Sequence, residues 1–224
     1  VLAALALAAA AASASVPPAP TRWVEDHADF LSPTARDALD GKLEAYQHET
    51  GHQVVVWIGR TLNGAPLDDW AVRTFAAWRI GRKGLDDGIA IFILADDRTI
   101  DIEVGYGLED RVPDAIASRI IREVMTPRLR GGDRDGAVTA GVASVLAAIE
   151  GHPWTPSGTE ARRWEGLGFG VLAVIVLILF LINPRLALWV LAMTIGRGGG
   201  FGGGGGGFGG GGGRSGGGGA RGGW

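Results

Sequence analysis

Residues 88–105 read Gly88-Ile89-Ala90-Ile91-Phe92-Ile93-Leu94-Ala95-Asp96-Asp97-Arg98-Thr99-Ile100-Asp101-Ile102-Glu103-Val104-Gly105. Two strand patterns meet in this stretch. Ile89–Leu94 is a continuous apolar run, as expected of a strand buried on both faces. Thr99–Gly105 alternates, with Ile100, Ile102 and Val104 facing one way and Asp101 and Glu103 the other. Asp96-Asp97-Arg98 between them is a turn, so the two runs form an antiparallel hairpin. The acidic stripe of Asp101 and Glu103 is expected to lie on a solvated face or edge.

Upstream, Val54-Val55-Val56-Trp57-Ile58 is a second buried strand. Between these strands Leu67, Trp70, Ala71, Thr74, Phe75 and Trp78 recur at helical spacing, and the helix stops before Gly81. A strand–helix–strand unit makes Val54–Ile58 parallel to Ile89–Leu94 through a right-handed crossover. An earlier helix is capped by Ser32, has Pro33 in its first turn and ends at Gly51. Pro113 opens a further helix carrying Ile116, Ile120, Ile121 and Val124, which Pro127 ends or kinks. A last helix carries Val138, Val142, Val145, Leu146 and Ile149. Together they predict an α/β fold, a three-layer α/β/α sandwich with a mixed sheet over residues 21–150.

The flanks differ in character. Residues 1–14 are almost wholly Ala, Leu and Val and reach Ala12-Ser13-Ala14, an A-x-A cleavage pattern. They read as a secretory signal peptide. The usual basic start and the Met are missing, which points to truncation. Pro17, Pro18 and Pro20 form a stiff spacer.

Residues 151–164 read as a polar linker. Leu167–Ile182 is free of charge, and its 16 residues cover about 24 Å as a helix. Extended to 165–184, it becomes a membrane span, with Trp164 at the interface. Residues 185–197 are an interfacial or second short membrane segment, the alternative being one kinked helix over 167–195. Residues 198–224 are nearly all Gly and are expected to be disordered.

Charge divides along the same lines. Residues 22–150 hold 15 Lys/Arg against 22 Asp/Glu, whereas residues 151–224 hold 6 against 2. The acidic domain argues against nucleic acid as a partner. With no Cys, disulfides and thiol chemistry are excluded. No G-x-S-x-G elbow, phosphate loop or paired-His spacing is present. No catalytic residue is assigned.

The hairpin sorts the acidic residues into two poles. Asp87 and Asp96 are separated by one strand, roughly 30 Å, so they cannot share a site in a monomer. At one pole Asp26, Asp96 and Asp97 form a candidate cation site, with Arg98 placed to meet an anion. At the other, Asp86, Asp87 and Glu109 form a second, with Tyr106 and Lys83 nearby. Such hard oxygen ligands suit calcium or magnesium.

Several stretches resemble the TPM domain family, which includes bacterial YgcG-like envelope proteins and thylakoid proteins of photosystem II repair. They are Val24-Glu25-Asp26-His27-Ala28 leading to Leu31-Ser32-Pro33, then Trp78-Arg79-Ile80-Gly81-Arg82-Lys83-Gly84 and Asp86-Asp87-Gly88. Asp97-Arg98, Ile102-Glu103-Val104-Gly105-Tyr106-Gly107-Leu108-Glu109 and Pro113-Asp114 follow. The resemblance covers about residues 22–150 and implies an α/β/α sandwich. It also implies one of two roles, an assembly or accessory factor, or an acid phosphatase with bound calcium. Asp87 stands where Asn is common, which adds negative charge. The expectation is a module anchored in the cytoplasmic membrane, single-pass or hairpin, with its domain outside. Its partners would be the membrane and other envelope proteins; the alternative is a divalent-cation-dependent phosphomonoesterase.

Overall fold

The computed structural model describes residues 14–152 and 208–224. The chain divides into two units, Val1–Trp154 with Gly206–Trp224, and Thr155–Gly205. All described residues belong to the first. The signal peptide up to residue 13, the membrane segments at 165–184 and 185–197, and residues 198–207 of the tail lie outside the described residues. Among the described residues no helix is long and apolar enough to cross a membrane.

Five strands make one mixed sheet in the order β1-β2-β3-β4-β5. They are β1 (Val24–Asp26), β2 (Gln53–Gly59), β3 (Gly88–Leu94), β4 (Thr99–Val104) and β5 (Gly218–Gly223). β1, β2 and β3 are parallel; β4 is antiparallel to β3, and β5 antiparallel to β4. The parallel pair and the hairpin read from the sequence are both present. β1 was not foreseen as a strand, because three residues cannot display a period. It is fixed by buried Asp40, which accepts hydrogen bonds from Val24 N at 2.9 Å and from Arg22 Nε and Nη2 at 3.1 and 2.9 Å.

Helix α1 (Pro33–Thr50) starts at Ser32, whose Oγ accepts from Ala35 N at 3.2 Å, and ends at Gly51 with φ 79°. Helix α2 (Leu67–Trp78) stops at Arg79, which takes φ 54°. Helix α3 (Asp114–Arg119) runs through a π-helical stretch (Ile120–Met125) into α4 (Thr126–Arg130). Pro127 therefore does not end the helix. It sits in the first turn of α4, and the wider π turn ahead of it accommodates a ring that has no N–H to donate. Helix α5 (Arg134–Ile149) is capped by Asp133.

Register shows what each sheet face meets. Trp57, Phe92, Asp101 and Arg221 are partners across β2, β3, β4 and β5 and so share one face. Trp70 of α2 packs on that face, with ring centroids 5.1 Å from Trp57 and 5.2 Å from Phe92. The opposite face carries Ile91, Ile100 and Ile102, all fully buried. Gly222, partner of Ile100, approaches Ile121 of the π stretch so closely that a Cβ would stand 2.6 Å from Ile121 Cγ2.

Two expectations are corrected. The Asp101–Glu103 stripe is not solvated: the residues are only 5% and 4% exposed. Polar–apolar alternation also fits a strand whose polar face is roofed by other chain, here α2 and the tail. Nor are residues 208–224 disordered, since they run along the domain and end in β5. The entropy argument omitted what a tract without side chains can do, namely press its backbone against another backbone. At Gly210, Gly213 and Gly219 an added Cβ would overlap the carbonyl oxygens of Trp78, Ile80 and Ile102.

Candidate functional site

At the first pole the carboxyl ends of β1, β2 and β3 lie together, as their parallel pairing requires. Asp26 aligns with Ile58, and Ile58 with Ile93. Two of the three carboxylates there are engaged by protein donors. Asp26 Oδ1 accepts from Ala28 N at 3.0 Å, and Oδ2 from Phe30 N and Leu31 N, both at 2.8 Å. Asp97 accepts from Thr61 Oγ1 at 2.7 Å and Leu62 N at 3.0 Å. Asp96 and Arg98 are exposed, and Arg98 adopts φ 52°.

At the second pole β4 returns beside the start of β3: Gly105 N donates to Gly88 O at 2.8 Å and Gly107 N to Asp86 O at 3.0 Å. This brings Asp86, Asp87 and Tyr106 to one end. Asp87 is held by Arg82, whose backbone N is 2.8 Å from Oδ1 and whose Nε is 2.7 Å from Oδ2. His52 Nδ1 lies 3.2 Å from the same Oδ2. Burial opposes ionisation, but the side-chain and backbone hydrogen bonds from Arg82 outweigh it and hold Asp87 below the usual carboxylate range.

Asp86 takes φ 49° and accepts from Arg214 N of the tail at 2.9 Å. Lys83 is exposed, and its backbone N donates to Gly211 O at 3.0 Å. Tyr106 is 53% exposed, and its N donates to Arg214 O at 3.2 Å. Glu109 is half-buried beside Gly218. The tail thus lies against Asp86, Lys83, Tyr106 and Glu109.

Asp26, Asp87 and Asp97 each use both carboxylate oxygens on protein donors. Among the described residues no group of three or more His, Cys, Asp or Glu is arranged to hold a metal ion. The Asp87 network is structural. Asp87→Ala should lower stability by about 2 kcal/mol, since it leaves Arg82 N without its acceptor. Urea unfolding measures this, and an unchanged midpoint would refute the assignment.

The site that the sequence did not announce lies between β4 and α2. Its floor is Asp101 and Glu103. Burial, then the charges of Glu103 and Asp68, push Asp101 up to about 8, with Arg221 opposing. Burial pushes Glu103 up to about 7, with Asp114 and Asp68 adding to it. Hydrogen bonds from the Ser215 hydroxyl and Gly217 backbone act the other way. Among the described residues Asp101 Oδ2 is buried without a hydrogen-bond partner, as is Thr74 Oγ1 of α2.

The tail forms the outer wall. Arg221 Nη1 pairs with Asp68 at 2.8 Å, and Gly219 N donates to Asp114 Oδ1 at 2.8 Å. Trp224 N donates to Arg98 O at 3.2 Å, and its ring lies 6.0 Å from that of Phe30. A signal was present in the sequence. Arg214, Ser215 and Arg221 interrupt the glycines of an otherwise uniform tract, and an acidic strand needs cationic or hydroxylic company when covered.

Comparison with known proteins bears on the folded part. A family model described as the TPM domain, and carrying the label TPM_phosphatase, matches residues 24–148. A solution structure of the N-terminal domain of a protein from P. gingivalis is similar at 29% identity with a TM-score of 0.53. The match covers 58% of this chain and 83% of that one. The solution structure of the BA42 protein from the psychrophilic bacterium Bizionia argentinensis is 19% identical with a TM-score of 0.47, over 61% of this chain and 93% of that one. No curated protein matches.

Proposed function

As this chain belongs to the TPM domain family, we propose that it is a membrane-anchored binding module of the cell envelope that assists assembly of envelope or membrane proteins. One observation carries this reading. The acidic groups with the geometry for chemistry are engaged by protein, and the most elaborate surface of the domain is a sheet edge that holds an extended polypeptide. Edge pairing of this kind is a recognition device. The test is crosslinking in intact cells followed by capture of the full-length protein. Reproducible envelope partners are expected, and their loss when β4 is blocked; none in repeated captures would overturn the reading.

The tail bears on topology as well. Its docking on the folded domain supports the two-pass alternative for residues 165–197, since tail and domain would share one side of the membrane. Protease added to spheroplasts should then reach both.

A second reading, a divalent-cation-dependent phosphomonoesterase, is favoured by the phosphatase label of the matching family model. Arg98 stands exposed at the carboxyl ends of the parallel strands, where a guanidinium can meet phosphate bidentately. Phosphate release from p-nitrophenyl phosphate with calcium, magnesium or manganese decides it. Under this reading Arg98→Ala cuts kcat/KM at least about tenfold, as expected for losing a charge-assisted contact worth about 1.5 kcal/mol or more. Unchanged activity would remove it.

A further inference from the structure

We propose that the edge of β4 covered by the tail, with the acidic trough between β4 and α2, is an acceptor for an extended, glycine-rich, arginine-bearing strand of a partner protein, and that the chain's own tail is its resident competitor. This deepens the binding-module reading by naming the ligand.

Three observations define what the site takes. The first is backbone pairing: β5 aligns with β4 over six residues, from Thr99↔Gly223 to Val104↔Gly218. Pairing of this length supplies affinity without regard to side chains. The second is exclusion. At Gly219 the backbone takes φ 150°, and an added Cβ would overlap Ile102 O; at Gly213 one would overlap Ile80 O. A strand with side chains at these places cannot follow the same path.

The third observation is charge. Asp68 from α2, Asp101 and Glu103 from β4 and Asp114 from α3 surround the strand, against which the tail brings one arginine here, Arg221. That arginine is spent on Asp68, at 2.8 Å and half exposed. Asp101 Oδ2, inside the trough, is left with no donor among the described residues. The tail is therefore an incomplete ligand. A partner strand that lays a guanidinium on Asp101 satisfies an acceptor that the tail does not, and such charge-assisted bonds are about twice as strong as neutral ones.

A cis tail has an effective concentration on the order of millimolar, so a partner must compete with it. The test uses the full-length protein and its Gly219→Val variant, in which a branched side chain at φ 150° bars the tail from the edge. The probe is a fluorescent peptide of residues 210–224, beside the same peptide with Arg221→Glu.

The wild-type peptide is expected to bind the Gly219→Val protein saturably and to slow amide exchange in β4. It should bind wild-type protein at least about tenfold more weakly, because the tail competes. The Arg221→Glu peptide should bind the variant at least about tenfold more weakly than the wild-type peptide. Fast β4 exchange with no peptide binding would overturn the proposal, as would equal binding of the two peptides.

Should the variant fail to fold, excess peptide added to wild-type protein gives the answer. Faster exchange at residues 218–223 of the displaced tail supports the site, and unchanged exchange refutes it. Envelope partners captured by a protein that ignores the peptide would sink this ligand and leave the module reading standing.

Discussion

Trp70→Ala should cost about 3–5 kcal/mol, the usual range for emptying a large aromatic site in a core. Trp70 is 1% exposed and joins the helix layer to the sheet. Its ring meets Trp57 and Phe92, and Nε1 donates to Ser15 O at 3.1 Å, which fastens the N-terminal lead segment. One substitution thus opens a cavity and frees Ser15. At roughly 2–4 °C per kcal/mol for a domain of this size, the melting temperature should fall by roughly 6–20 °C. Trp70→Phe, which keeps the ring contacts but loses the N–H, should cost much less. A loss below about 1 kcal/mol for the alanine variant would show that α2 does not pack on this face as described.

Raising the pH should loosen the tail. Asp101 is held at about 8 against an ordinary 3.8, and Glu103 at about 7 against 4.5. A carboxyl raised in the folded state keeps a proton that the unfolded or undocked state gives up. Its contribution is full below the ordinary value, declines as pH climbs through the interval, and is gone above the folded value. For Asp101 the loss is at most about 1.4 kcal/mol per pH unit inside that interval.

Burial sets the sign, and the groups facing the pair adjust it. Asp68 and Asp114 favour the protonated forms, whereas Arg221 opposes at Asp101 and the Ser215 and Gly217 bonds oppose at Glu103. Stability should therefore fall steadily from pH 5 to pH 8.5, and Asp101→Asn should flatten much of that fall. Thermal unfolding across this range tests it. A wild-type protein that gains stability with pH, or an Asp101→Asn variant with the wild-type slope, would contradict the burial of the acidic stripe.

What could be read from the sequence was what side chains encode. β2 and β3 announced themselves as unbroken apolar runs, and β4 by its alternation. α1 was bounded by Ser32 and Gly51, which perform the capping their types imply. β1 escaped because Val24–Asp26 is shorter than any period, and is held by Asp40 from a helix. Pro127 reads as an end or a kink because a π-helical stretch leaves no mark in the pattern of apolar residues.

The acidic residues show the same division. Strand length separated Asp86 and Asp87 from Asp96 and Asp97 correctly, because distance along a strand is fixed. The hydrogen-bond partners of Asp87, Asp97 and Asp26 could not be read, since Arg82, Thr61 and the 28–31 backbone respectively reach them through local loop geometry. Asp101 and Glu103 were misplaced for a different reason. Alternation says that one face differs from the other, not what covers it, and the cover is a tract of glycine. Its conformation is chosen by the backbone it touches, so apart from the interruptions at Arg214, Ser215 and Arg221 nothing in its own composition foretells a strand.

The tail as fifth strand is therefore the claim on which the site, the pH response and the proposed ligand all rest. Amide hydrogen exchange of Gly218–Gly223 in the full-length protein near pH 6 measures it directly. Protection comparable to that of Thr99–Val104 is predicted, together with its loss in Gly219→Val. Exchange of those glycines at the rate of a free peptide, with β4 no less protected in the variant, would contradict it.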